Sequence, residues 1–211
     1  MTQQDVDNSA KIHQNVKVGD VKYKDISGPD GIPDGKISSE YDRKLLGGSL
    51  PRYMFGGNIY TRYKDIDLSL TFQGIGSQLV RMHTTMVQPL RENYGNIPAF
   101  LDENYWSSRH DEPTNAAARY PRLTYTNASS NYTMSDFWLF NGRYIRLKNI
   151  TLGYSLPKLL LKKISAHKIR IYLSANDLFC ISQFPQGWDP EMGMSSYPIT
   201  TSFLLGTSIY F

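Results

Sequence analysis

The chain has 211 residues, enough to bury a core as one domain or as two small ones. Its formal charge of +4 is scattered and forms no basic stripe, so nucleic acid is not an expected partner. A single cysteine, Cys180, excludes an internal disulfide, and no apolar run approaches the roughly 18 residues of a membrane-spanning helix.

From the amino-terminus, residues 1–19 are polar and lack an apolar signal core. They are expected to be a poorly ordered lead-in to a body spanning 20–211. Asp20 to Lys36 reads DVKYKDISGPDGIPDGK. Asp25, Asp30 and Asp34 around Gly31 are candidate calcium ligands, because hard oxygen donors alternate about a glycine turn in such loops. Pro29 offsets the spacing and no glutamate stands at the bidentate position, so a plain Gly/Pro/Asp turn is the alternative.

Five long segments then alternate in hydropathy, the signature of strands with one apolar face. In Arg52–Tyr63, Tyr53, Phe55, Ile59 and Tyr63 oppose Arg52, Asn58 and Arg62. After a tight turn at Tyr63–Asp65, the alternation of Asp65–Gln73 is unbroken, with Ile66, Leu68, Leu70 and Phe72 on one face. Arg143–Leu156 is apolar at Ile145 and Leu147, then changes phase to Ile150, Leu152, Tyr154 and Leu156. That slip predicts a β-bulge at Lys148–Asn149. Pro157 opens a short helical link. Lys168–Phe179 sets Ile169, Ile171, Leu173 and Ala175 against Lys168, Arg170 and Ser174, and Thr201–Phe211 closes the chain on an aromatic.

One such segment fits a soluble sandwich equally well. Five of them, most longer than the usual 5–6 residues and with Tyr53, Tyr63, Tyr144, Tyr154, Phe179 and Phe211 near their ends, favour a transmembrane β-barrel with aromatic girdles. The fold expected is all-β: an antiparallel barrel segment of roughly five strands with long extracellular loops. Those loops are Gly74–Asp136, of about sixty residues, and Ile181–Thr200, of about twenty. Tyr105, Trp106 and Trp188 within them are the candidates for facing a ligand, since aromatic faces stack on sugars or peptides. Packing within the loops is the competing role. His13, His83, His110 and His167 lack metal-ligand spacing, and no catalytic acid, base or nucleophile set emerges, so no enzyme is expected.

Several blocks add a family resemblance. GDVKYKDISGPDG, DRKLLGGSLPRYMFGGNIYTRYKDIDLSLTFQG, YWSSRHDEPTNAAARYPRL and SDFWLFNGRYIRLKNITLGYSLPK resemble the carboxy-terminal half of SusC/RagA-type TonB-dependent outer-membrane transporters. IRIYLSANDLFCISQFPQGWDPE and YPITTSFLLGTSIYF resemble that family's last two strands. The resemblance implies a barrel of about 22 strands with an amino-terminal plug. It further implies import of glycans or peptides across the outer membrane, contact with outer-membrane lipid, energy from TonB and a SusD-like surface lipoprotein as lid. Signal peptide, TonB box and plug are not visible here, so the chain is expected to be the closing part of a larger protein. The alternative is a self-standing surface β-domain that grips glycan through Tyr105, Trp106 and Trp188.

Overall fold

The computed structural model describes residues 2–82, 87–89, 96–124, 131–161, 166–192 and 197–211. His83 and the basic pair Lys162–Lys163 lie outside them. The chain divides into two compact units: Met1–Gly47 with Arg81–Leu139, and Gly48–Val80 with Phe140–Phe211.

The second unit is built on a five-stranded antiparallel sheet. Its strands are β1 (Met54–Tyr63), β2 (Ile66–Ile75), β5 (Tyr144–Ser155), β6 (Lys168–Ser182) and β7 (Ser202–Tyr210), neighbouring one another in that order. The short strands β3 (Leu79–Arg81) and β4 (Leu139–Asn141) pair separately. Lys64 takes a left-handed φ of 53° in the tight turn joining β1 to β2. The helical turn Lys158–Leu161 follows Pro157, as expected.

Register explains the alternation. Across the sheet, Ile59, Leu70, Ile150, Ala175 and Phe203 form one rung, and Leu68, Leu152, Leu173 and Leu205 another. Polar rungs alternate with them: Ser69, Thr151 and Ser174, with Tyr60 and Leu204 at the ends, lie between the two, and Asn58, Thr71, Asn149, Asn176 and Ser202 lie on the far side of the first. The predicted bulge is present. Register shifts between Thr71 and Phe72 on β2 and between Leu147 and Asn149 on β5: Lys148 is the extra residue of β5 against β2, and β6 in turn sets two residues, Asp177 and Leu178, opposite it. Without it the apolar row of β5 would change face halfway along.

The polar face is cross-linked from strand to strand. Asn149 Nδ2 donates to Ser174 Oγ at 2.9 Å and to Asn176 Oδ1 at 2.7 Å, and Asn176 Nδ2 donates to Ser202 Oγ at 3.2 Å. Arg170 of β6 reaches across β5 to Asp67 of β2, with Nε at 2.8 Å from Oδ1. Gly153 is what lies beneath that bridge: a Cβ there would sit 2.4 Å from Arg170 Nε. Burial is inverted relative to a soluble sheet. Leu173 is 52% exposed and Leu205 76%, whereas Ser174 and Arg146 are only 8% and 3% exposed. A sandwich would hide the leucines.

The first unit packs around Trp138, whose ring stacks on Tyr120 at 5.9 Å and Tyr132 at 5.2 Å, with Phe137 edge-on at 4.9 Å. Met82, Val87 and Leu101 are buried in this unit. Asp20 ties distant segments together: Oδ1 accepts from Arg122 Nε at 2.6 Å and from Asn131 Nδ2 at 3.0 Å.

Four expectations need amendment. The lead-in 1–19 holds a short helix, α1 (Gln3–Asp7), fixed by a Thr2–Asp5 capping box and the buried Val6. Gly74–Asp136 is not all loop. It contributes the end of β2, β3, a 3-10 turn at Ala99–Leu101 and helix α2 (Glu112–Ala117), which Asp111 caps. Ile181 and Ser182 belong to β6 and not to the loop after it. Tyr144 leaves the aromatic girdle: it pairs with Ile75 and Ser182, is 7% exposed, and lies against Arg146 on the polar face.

Candidate functional site

The polar face of the sheet carries a dense ionic cluster where the β6–β7 connection folds back over β5. Arg146, two residues from the start of β5, shares this face with Tyr144 by simple alternation. Lys148 joins it because the bulge puts two consecutive residues, Lys148 and Asn149, on the same side. Arg146 Nη2 contacts Asp189 Oδ1 at 2.6 Å. Its Nε is 3.0 Å from Glu191 Oε2, an ion-pair distance without hydrogen-bond alignment. Lys148 Nζ lies 2.8 Å from Asp177 Oδ1 and 3.3 Å from Glu191 Oε1. Gln73 of β2 also donates to Glu191 Oε1, at 2.7 Å.

Beside this cluster is an open groove of about 360 Å³, lined by Arg146, Cys180, Phe184, Trp188, Pro190 and Pro198 among others. Its arch is shaped locally: Gly187 has a left-handed φ of 85°, and Trp188 N–H donates to the carbonyl of Pro185 at 3.3 Å. Phe184 packs edge-on against Phe140 at 6.3 Å. Chemically, the groove offers an indole, a phenyl ring and proline faces, suited to stacking, beside cations already neutralised by carboxylates.

Of the sequence candidates, Trp188 lies in this groove of the second unit, and Tyr105 and Trp106 belong to the first unit. Trp106 covers Gly19, where a Cβ would meet its ring at 2.2 Å, and its backbone N–H donates to the Tyr120 carbonyl at 3.0 Å. The Tyr105 ring sits 5.4 Å from that of His110. Both engage in packing and remain half-exposed.

Asp25, Asp30 and Asp34 do not converge. Asp25 Oδ2 accepts from Gly35 N–H at 2.6 Å, Asp34 Oδ1 accepts from Lys36 N–H at 2.9 Å, and Asp30 is exposed. Asp25 Oδ1 alone is buried without a hydrogen-bond partner, one orphan oxygen against the six to eight that calcium needs. Among the described residues no group of three or more His, Cys, Asp or Glu side chains is placed to hold a metal. The organiser of this loop is Asp42, unremarked in the sequence, which accepts the N–H groups of Ser38 at 2.7 Å and Ile26 at 2.8 Å. Those bonds hold its carboxyl below the usual range. Burial pushes the Tyr132 and Tyr23 phenols up.

Sequence reasoning also missed Asp189 and Glu191. The phase slip at Lys148 was visible, but nothing local couples it to acidic residues some forty positions later.

No helix among the described residues is long and apolar enough to cross a membrane, a fact that bears only on helices. The inside-out sheet defines the wall of a transmembrane antiparallel β-barrel, and solved structures share the fold. The RagAB peptide transporter matches with a TM-score of 0.67 at 20% identity, over 95% of this chain and 21% of that one. No family model matches. TonB-dependent receptor P3 of Formosa agariphila is 30% identical over 195 residues, 84% of this chain and 18% of that protein. TonB-dependent receptor SusC of Bacteroides thetaiotaomicron is 38% identical over 85 residues, 37% of this chain and 8% of that one. The chain belongs to the TonB-dependent receptors, with SusC among its relatives. It spans 18% of the length of receptor P3.

Proposed function

We propose that this chain supplies closing barrel strands and ligand-facing loops to an outer-membrane, TonB-dependent importer of glycans or peptides. Its apolar rungs face lipid and its polar rungs face the lumen. The β2–β5 and β6–β7 connections lie on the external side, with Trp188 and the half-exposed Tyr105 and Trp106 available to a ligand. A SusD-like surface lipoprotein covers that side, and TonB acts through parts of the receptor beyond this chain. The role is transport and not chemistry on the ligand.

One observation carries this reading: the large apolar side chains Ile59, Leu152, Leu173, Phe203 and Leu205 are exposed, whereas the cross-linked polar face is buried at Asp67, Arg146 and Ser174 and half-buried at Asn149 and Thr151. That arrangement is unfavourable in water and favourable in a bilayer. The test is the receptor containing this chain, expressed in its outer membrane with Ile171→Arg or Ser174→Arg. Arginine facing mid-bilayer costs about 2–4 kcal/mol and arginine facing the lumen far less. Ile171→Arg should deplete the folded, heat-modifiable species and substrate uptake, and Ser174→Arg should leave the folded species in place. Equal effects, or a soluble chain that binds glycan without detergent, would support the self-standing domain instead.

A further inference from the structure

The cluster around Arg146 has a geometry that packing alone does not require. Glu191 is reached from two strands at once: by Gln73 of β2 at 2.7 Å, and by Arg146 and Lys148 of β5 at 3.0 and 3.3 Å. Asp189, two residues earlier, takes the other arm of the Arg146 guanidinium at 2.6 Å and accepts the Glu191 N–H at 2.9 Å. Asp189, Pro190 and Glu191 therefore form a short rigid tooth: proline fixes the backbone between the acids, Asp189 accepts a hydrogen bond from Arg146 Nη2, and Glu191 adds an ion pair beside Nε. Arg146 is 3% exposed, so the pairing is largely shielded from solvent and salt. Lys148 is present only because of the bulge, and Asp177, its second partner, sits at a left-handed φ of 49° on the neighbouring strand. Two backbone irregularities on adjacent strands thus bring a cation and an anion to the same spot.

We infer that Arg146 and Lys148 form a clasp that fastens Asp189–Glu191 to the polar face, making residues 183–192 a fixed wall of the groove and holding Trp188 in place over it. Arg146 is a positioning residue: it acts on a ligand through the seating of Trp188. This inference rests on the proposed lumenal direction of the polar face only for its effect on uptake. The clasp itself is tested without transport.

The experiment uses the full receptor in detergent. Hydrogen exchange of the unaltered protein should show the Glu191 amide slowed at least about tenfold relative to its unstructured rate. Exchange at the unstructured rate overturns the clasp, and this arm needs no variant. In Asp189→Asn/Glu191→Gln, the native Cys180 thiol in the groove should react with a small methanethiosulfonate reagent about tenfold faster as the connection opens. An unchanged rate in a variant that keeps its heat-modifiable band overturns the clasp, and if that band is lost the exchange result decides. Arg146→Lys should retain only part of the protection, because a point-like ammonium cannot face Asp189 and Glu191 at once as the planar guanidinium does. In uptake assays the double variant should raise KM with little change in maximal rate. An unchanged KM alongside proven opening would leave the clasp standing and count against Trp188 as a ligand contact.

Discussion

Gly19 and Asp42 show how single side chains hold the first unit. Gly19 combines a left-handed φ of 86° with the Trp106 ring where a Cβ would be. Gly19→Ala should therefore strain the backbone and displace the indole together, costing about 1–3 kcal/mol, read as a lower unfolding temperature by tryptophan fluorescence. Asp42 gives a pH dependence with a definite sign. Its carboxyl is depressed below 3.8 in the folded state, first by the Ser38 and then by the Ile26 backbone donors. Its contribution is present above the unfolded value and is lost as pH falls through the folded one. Exchange protection of the Ile26 amide should thus fall below pH 3.8 in the native protein, whereas Asp42→Asn should show no step there. A step of equal size in the variant would assign the transition to another group.

At the scale of the element, β5 is the informative strand. Its alternation slips once, and the structure converts that slip into the extra residue Lys148. Deleting Lys148 should throw Ile150, Leu152 and Tyr154 onto the polar face, since one residue of register inverts every following side chain. We expect the folded, heat-modifiable receptor to disappear on deletion and to survive Lys148→Gln, which keeps the bulge and loses only the charge. Survival of the deletion would mean that the register is set elsewhere. The strands were legible in sequence because their period of two extends over nine or more residues. Tyr144 was misread for a related reason: an aromatic near a strand end looks like a girdle residue until register shows that it shares a face with Arg146.

For the molecule as a whole, the outer strands β1 and β7 each have one neighbour in the five-stranded sheet. Unpaired backbone groups in hydrocarbon cost several kcal/mol each, and an apolar face of this size associates in water. The isolated 211-residue chain reconstituted in liposomes should therefore show no saturable oligosaccharide or peptide uptake. Specific uptake by it alone would overturn the reading of it as a part of the barrel. In the full receptor, deleting Phe211 should lower the amount recovered in outer-membrane fractions, because the apolar row of β7 continues to that residue. Unchanged recovery would remove Phe211 from the assembly signal.

The sequence by itself determined the five strands, their faces, the bulge and the family, because each is written in local periodicity or in contiguous blocks of residues. Tertiary structure alone decided what depends on distant pairings. It set Asp20 against Arg122 and Asn131, laid Arg170 over Gly153 to reach Asp67, and turned Asp25 and Asp34 to backbone amides of their own loop. It also brought Asp189 and Glu191 onto Arg146 and Lys148. The physical reason is the same throughout. A side chain's direction follows from its neighbours along the strand, whereas its partner follows from the register of strands and loops far away in the chain.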